Sequence, residues 1–477
     1  MELFHQINDI LWGWVIAYIL LAIGLYYSIR LGVPQLRYFK HALGVMKKSL
    51  KKKDGEVSGF STLCAAIGGQ VGTGSLVGVA TALVAGGPGA IFWMWVTALF
   101  GMVITFAETV LGQLFREKIE DGTYRGGPAF YIEKGLKNKT MAIIMSLCYV
   151  FAIGMFIASI QTNSIASAFT GVVDINPLIP GMVVVILTGV VIVGGVKRLV
   201  DFSTLIVPFM ALSFIALTLY IVITNITAVP AVFELIIKNA FTGEAAAGGV
   251  IGATVMEAFR YGMARGLFSN DAGNGVAGTM HASAEVKHPI EQSFLAMLGT
   301  FITTIIICSC TAFAILLSDV LGTGKDGVNL LQEAFNVSMG SFGKWVVFGA
   351  MFLFGFTTLL ADVFYGETNI RYIFKKNPKP VIWIYRIITA IVLTISSVVP
   401  LTVIWASVDF LLAIIIFLNV IALFGLFKYV RYAFKNYVYQ LKQGIKEPEW
   451  DREIDITKVD LTQVDAVVAN NRYSKRA

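Results

Sequence analysis

Stretches of about twenty apolar residues recur along this chain, and no other feature constrains its fold as strongly. Lipid offers no hydrogen-bond partner, so a chain crossing it must satisfy its own backbone as helices or a closed barrel. Eleven segments of helical length are expected, at about 9–29, 59–84, 89–115, 141–170, 180–195, 199–225, 246–267, 290–317, 343–373, 381–399 and 403–437. Composition agrees: 56% of residues are hydrophobic and 14% charged, where soluble domains carry about 25% charge. The expected class is an all-α integral membrane protein. The block near Leu11 to Leu31 has no basic stretch before it and no small-residue cleavage site after it, so it reads as a retained helix rather than a signal peptide.

Orientation follows from lysine and arginine in the connections. The first connection, "RLGVPQLRYFKHALGVMKKSLKKKDGE", is heavily basic, as are "REKIEDGTYRGG", "SAEVKHPIEQ" and "RYIFKKNPKP" further along. Connections on the other side, such as "GVVDINPLIPG" and "VVPLT", hold few basic residues. The asymmetry puts a multi-pass protein in the cell membrane, N-terminus outside and C-terminus in the cytoplasm. The net charge of +7 is then a topology signal, and no nucleic-acid partner is implied. The polar, mixed-charge tail from about Lys442 reads as flexible.

Catalytic chemistry finds no foothold. Cys64, Cys148, Cys308 and Cys310 lie in apolar segments, and the CSC triplet has neither zinc-knuckle nor redox CxxC spacing. His5, His41, His281 and His288 are scattered. No nucleophile–base pair or metal cluster emerges, so an enzyme is not expected.

The second segment instead carries "GGQVGTGS", Gly68 to Ser75, within "AAIGGQVGTGSLVGVATALVAGGPGA". Glycine destabilises a helix interior by about 1 kcal/mol relative to alanine. Irregular backbone at membrane depth survives only where protein buries it or it lines a cavity. There, half-helix N-termini receive carboxylates and freed carbonyls receive sodium. The competing reading is close helix packing through small residues; it is adopted for Gly78 and for the turn from Gly86 to Gly89. A second interruption, "EAFRYGMARGLFSNDAGNG" from Glu257 to Gly275, sits in the seventh segment with Gly262, Arg265, Gly266 and Asp271. With the first segment set aside, the two interruptions open two five-helix units of opposite orientation. That is the pattern of a secondary transporter with a midplane site. A channel filter also uses broken helices.

"GTGSLVGVATALVAGGPGAIFWMWVTALFGM", "RGGPAFYI", "ARGLFSNDAGNG" and "HASAEVKHPIEQ" closely resemble the alanine or glycine:cation symporter family. The resemblance runs from about Leu11 to the last helix. It implies the leucine-transporter fold: a five-plus-five inverted repeat, here with one extra N-terminal helix. The expected organisation is an extra helix and basic loop over 1–56, a first repeat over 57–226, a loop helix and second repeat over 227–440, and a tail over 441–477. The segment Ala231 to Phe241 is the loop helix, too short to span and placed at the outer surface.

The resemblance also implies a site, residue by residue. Thr73 and Gly74 would offer N–H groups to a substrate carboxylate. Gln161, in "QTNSIA", would face the substrate, with Phe259 and Met263 shaping the pocket wall around the second break. Carbonyls of Gly68 and Val71 with the hydroxyls of Thr357 and Thr358 would ligate sodium, the co-transported ion. Glu108, Glu257, Arg260 and Arg265 are membrane charges expected in structural or gating ion pairs. Departures from the family pattern gather in the pocket. Gln70 and Ser75 stand where members usually carry Thr and Asn, Thr303 where an Asp is expected, and Asp362 replaces a tryptophan. Such a carboxylate must be protonated, paired with a base, bound to a cation, or turned to a polar or cationic substrate group. The function implied is a sodium-coupled symporter importing a small or polar amino acid by alternating access. A carrier for a larger or cationic amino acid is the alternative, and a channel the remoter one. Its partners are the amino acid, sodium and membrane lipid.

Overall fold

Apolar composition along one chain gives helices, but which helix lies inside depends on how many of its faces are apolar. The computed structural model describes residues 11–50, 57–120, 122–242, 254–452 and 456–459, which are helical almost throughout. The expected start of the seventh segment at 246, the lysines at 51–53 and the tail beyond 459 lie outside the described residues. Helix α1 (Ala17–Leu31) continues from a widened turn at Leu11–Ile16 and ends at Gly32, whose φ of 74° lets the chain turn. The amphipathic α2 (Phe39–Ser49) follows.

The helices of the first half long and apolar enough to span are α3 (Gly59–Gly86), α4 (Gly89–Leu114), α5 (Lys139–Thr170) and, after the shorter apolar α6 (Leu178–Ile192), α7 (Gly195–Thr224). A non-spanning helix, α8 (Val229–Thr242), leads to the second half. That half holds the divided pair α9 (Val255–Asn270) and α10 (Val276–His281), then α11 (Pro289–Leu317). After the short α12 (Gly327–Met339) come α13 (Ser341–Ile373), α14 (Pro378–Ser396) and α15 (Leu401–Lys442).

The apolar core of α3 is 100% buried, whereas only 28% of the corresponding stretch of α7 and of α14 is. Helix α3 is therefore the axis of the bundle, packed by α9, α13, α7 and α11. Helices α7 and α14 face lipid with rows such as Leu205, Phe209 and Leu212, or Ile384, Ile387, Ile391 and Ile395. These rows follow the three-to-four-residue spacing of one helical face. The extra helix α1 is fixed to α15 by Tyr27, whose hydroxyl donates to the Leu423 carbonyl at 2.7 Å. Helix α8 rests on α4 through Phe241, whose ring lies 4.9 Å from that of Phe92.

Two expectations need correction. The tail does not leave the bundle directly after α15. Glu449 exchanges two hydrogen bonds with the Gln440 side chain, and the Trp450 N–H donates to the Lys287 carbonyl at 3.0 Å. Lys287 also pairs with Glu447 at 2.6 Å, and the Trp450 ring packs edge-on to His288. Burial pushes the His288 imidazole down to about 3, so it stays neutral and its Nδ1 accepts from the Ile290 N–H. Gly78 is not a packing glycine either: a Cβ there would meet nothing nearer than the Thr73 carbonyl at 3.9 Å. Gly86 and Gly89 do pack tightly, against Tyr261 and against the backbone at Asn239.

Candidate functional site at the two broken helices

Helix α3 begins conventionally, with Ser58 as N-cap accepting from the Ser61 N–H. It breaks at Gly72, where φ is 13° and ψ is −144°. Glycine is required there by close approach. A Cβ would lie 2.5 Å from Thr358 Oγ1 and 2.9 Å from Gln161 Oε1. Beyond the break a second half-helix starts, and its orphan Thr73 N–H donates to Gln161 Oε1 at 3.0 Å. On the near side, the Gly68 carbonyl accepts from Thr357 Oγ1 at 3.1 Å and from Thr358 Oγ1 at 2.7 Å. Thr357 shares its proton with the Leu353 and Phe354 carbonyls of its own helix. Both hydroxyls keep lone pairs free for a cation. Val71 is fully buried one residue before the break.

The second interruption falls later than expected. Helix α9 runs unbroken through Gly262, Arg265 and Gly266, because those glycines serve packing: a Cβ at Gly262 would press on Trp93, and one at Gly266 on Met94. The break spans Asp271, Gly273 and Gly275, with φ of 55°, 93° and 86°. Glu108 of α4 holds it open. Its Oε1 accepts from the Gly273 N–H at 2.9 Å, the Gly275 N–H at 3.0 Å and Asn419 Nδ2 at 2.7 Å. Asn419 donates as well to the Gly273 carbonyl at 2.9 Å, and the Tyr149 hydroxyl donates to the Asn274 carbonyl at 2.5 Å. The ion-pair reading is corrected for two of the four charges. Glu108 binds backbone and amide N–H groups, and Glu257 closes a capping box with Thr254 at the start of α9.

Between the two breaks lies a narrow cavity with room for about one water molecule. Gly69, Gln70, Gly72 and Gly74 line it from α3, and Ile153, Ile157 and Gln161 from α5. Thr358 and Asp362 line it from α13, and Phe268, Asp271, Asn274 and Val276 from the second break. A π-helical stretch over Tyr149–Ile157 sets the α5 wall, since a widened turn rotates the residues that follow it. The two broken helices touch directly here: a Cβ at Gly74 would lie 3.1 Å from the Phe268 ring and from Ser269 Cα. Ser75 and Ser269 hydroxyls meet at 2.9 Å, and Ser269 reaches Cys308 Sγ of α11 at 2.9 Å. Asp362 is 3% exposed and its Oδ2 has no hydrogen-bond partner.

The structure thus brings together Gly68, Gln70, Gly74, Gln161, Thr357, Thr358 and Asp362, with Thr73 at the break itself. It does not bring Phe259 and Met263 there: they pack with Ala17 of α1 and with Trp93. Phe268, further along α9, lines the cavity instead. Sequence reasoning missed it, along with Ile153, Ile157 and the anchor role of Glu108. The string "SNDAGNG" held the clue, since its clustered glycines and asparagines suit left-handed backbone better than helix. A larger cavity of about 790 Å³ opens at the basic end of the bundle, lined by charges of both signs including Lys40, Lys48, Glu285 and Glu291. The broken backbone of both helices lines the smaller cavity and not this one among the described residues, so the smaller cavity is taken as the candidate site.

Discontinuous helices in two inverted halves are the general pattern of secondary-transporter folds. The structure of MhsT in complex with L-phenylalanine superposes with a TM-score of 0.54 at 17% identity, over 86% of this chain and 95% of that one. The profile of the sodium:alanine symporter family matches residues 1–452. The chain belongs to the sodium:alanine symporter family. Within that family it is 40% identical to the amino-acid carrier protein AlsT of Bacillus subtilis, over 92% of both chains. It is 35% identical to the probable sodium/glutamine symporter GlnT of the same organism, over 94% of this chain and 92% of that one. With the sodium/alanine symporter AgcS of Methanococcus maripaludis it shares 35% identity, over 86% of this chain and 91% of that one. The fold is accordingly the leucine-transporter type, in a multi-pass membrane protein built for coupled symport.

Proposed function

We propose that this family member imports an amino acid with sodium by alternating access, the two meeting at the break in α3. The observation that carries the reading is the shared Gly68 carbonyl. It gathers the hydroxyls of Thr357 and Thr358 immediately before the break, and the cavity begins immediately after it. Sodium is a hard cation that takes oxygen ligands. Carbonyls of Gly68 and Val71 and both hydroxyls would hold it between the first half of α3 and α13. Binding there ties α13 to the half-helix whose end forms the substrate site, which couples ion to substrate without direct contact between them.

The amino-acid carboxylate would lie at the N-terminus of the second half-helix, against the Thr73 and Gly74 N–H groups and the positive end of the helix dipole. Gln161 Oε1 holds the Thr73 N–H in the substrate-free chain. Its amide therefore yields that donor on binding and turns its own N–H₂ to the carboxylate. The substrate ammonium faces the carbonyls freed at the second break. The positive-inside rule places the basic end of the bundle, with the docked tail, in the cytoplasm.

Purified protein in liposomes tests this. Labelled alanine, glutamine and lysine are supplied with an inward sodium gradient, with potassium in its place, and with an ionophore. Accumulation above equilibrium that needs the sodium gradient is expected for at least one of them. Passive currents without accumulation would favour a channel and overturn the proposal.

A further inference from the structure

The cavity wall carries a carboxylate that neither the sodium ligands nor the backbone uses. Asp362 follows Thr358 by four residues on α13, so both present to the α3 break from one helical face. Its Oδ2 is buried without a partner. Three nearby donors are bonded elsewhere. Thr358 donates to Gly68, the Tyr385 hydroxyl donates to the Gly154 carbonyl at 2.9 Å, and Asn274 Nδ2 donates to Asp271 Oδ1 at 3.0 Å. None of the described residues lining the cavity is Lys, Arg or His, while two of them, Asp271 and Asp362, are acidic. A ligand lodged here meets an acceptor that its own surroundings leave unsatisfied.

We infer that Asp362 selects substrates whose side chain carries N–H donors, an amide or an ammonium, over those ending in a methyl group. The inference rests on the symport reading above and names its substrate class. A methyl side chain would bury Oδ2 still unpaired, whereas an N–H donor completes it. Sites built to hydrogen-bond a substrate group reject analogues lacking it far more strongly than apolar pockets reject extra bulk. The cavity holds about one water molecule, so its walls must part as a substrate side chain enters beside Asp362.

Binding and transport are measured separately on the full-length protein. Thermal stabilisation by alanine, glutamine and lysine reads binding, and sodium-driven uptake of the same three reads transport. Glutamine or lysine is expected to exceed alanine by about tenfold or more in apparent affinity. Asp362→Leu should remove that preference and leave alanine equal or better. Asp362→Asn, nearly isosteric, separates the two sources. An amide substrate keeps most of its binding because the Asn carbonyl still accepts, whereas a cationic one loses about tenfold or more. Preference for alanine in the wild type, or an unchanged ranking in both folded variants, overturns the inference. Selective binding of glutamine or lysine without sodium-driven uptake would overturn the symport reading and leave this one standing.

Discussion

Gln161 and Thr73, on different helices, are joined across the first break: the Gln161 amide oxygen accepts the Thr73 N–H at 3.0 Å. This bond caps a half-helix at membrane depth, where an unmade bond costs about 1–3 kcal/mol. It also occupies the donor that a substrate carboxylate would need. Gln161→Leu is expected to lower the melting temperature of the substrate-free protein and to weaken substrate binding. A variant with an unchanged melting temperature would show that the cap is dispensable.

Thr357→Ala with Thr358→Ala removes two hydroxyls from the Gly68 carbonyl. Sodium should then activate uptake only at concentrations raised about tenfold or more, as two oxygen ligands are lost from a desolvated ion. Serine at both positions should restore the dependence, since it keeps the oxygens. An unaltered sodium dependence in the alanine double variant would remove these residues from the ion site.

Gly74 and Gly78 separate close approach from helix propensity. Gly74→Val would drive its side chain into Phe268 and Ser269, and is expected to abolish substrate binding. Gly78→Ala makes only an ordinary contact with the Thr73 carbonyl at 3.9 Å, so it should be neutral or stabilising by up to about 1 kcal/mol. Thermal unfolding and substrate-induced stabilisation of both variants decide the comparison. Equal damage at the two positions would contradict it.

Glu108→Ala would strip the acceptor from the Gly273 and Gly275 N–H groups together. The expected result is a loss of several kcal/mol, seen as failure to accumulate folded protein. Glu108→Gln keeps one oxygen and should retain the fold. Equal yields of the alanine and wild-type proteins would show that the second break does not need this anchor.

Trp450→Ala, or truncation after Lys442, releases residues 445–452 from the segment before α11. Faster amide hydrogen exchange over residues 284–288 is expected. The exposed Lys287–Glu447 pair alone is worth only about 0–1 kcal/mol, so Lys287→Ala should have the smaller effect. Identical exchange in the truncated and full-length proteins would mean that the docking does not stabilise this segment.

The sequence by itself determined the all-helical membrane class, the approximate position of the long apolar helices, a break within Gly68 to Ser75 and the existence of a second break. Those follow from hydropathy and from glycine content in consecutive residues, which act locally on the backbone. The same local signals misplaced the second break, because Gly262 and Gly266 look alike whether they unwind a helix or admit a neighbour. Only the packing of α9 on α4 distinguishes the two. Tertiary structure likewise decided that Phe268, and not Phe259 or Met263, walls the cavity, because a helix's rotation is set by all its neighbours at once. Glu108 is 165 residues from Gly273 in sequence. No local pattern signals that its carboxylate ends beside two backbone N–H groups instead of a basic side chain. The docked tail is the same case: its polar composition permits solvation, and only the folded surface of Lys287 and His288 supplies partners that hold it.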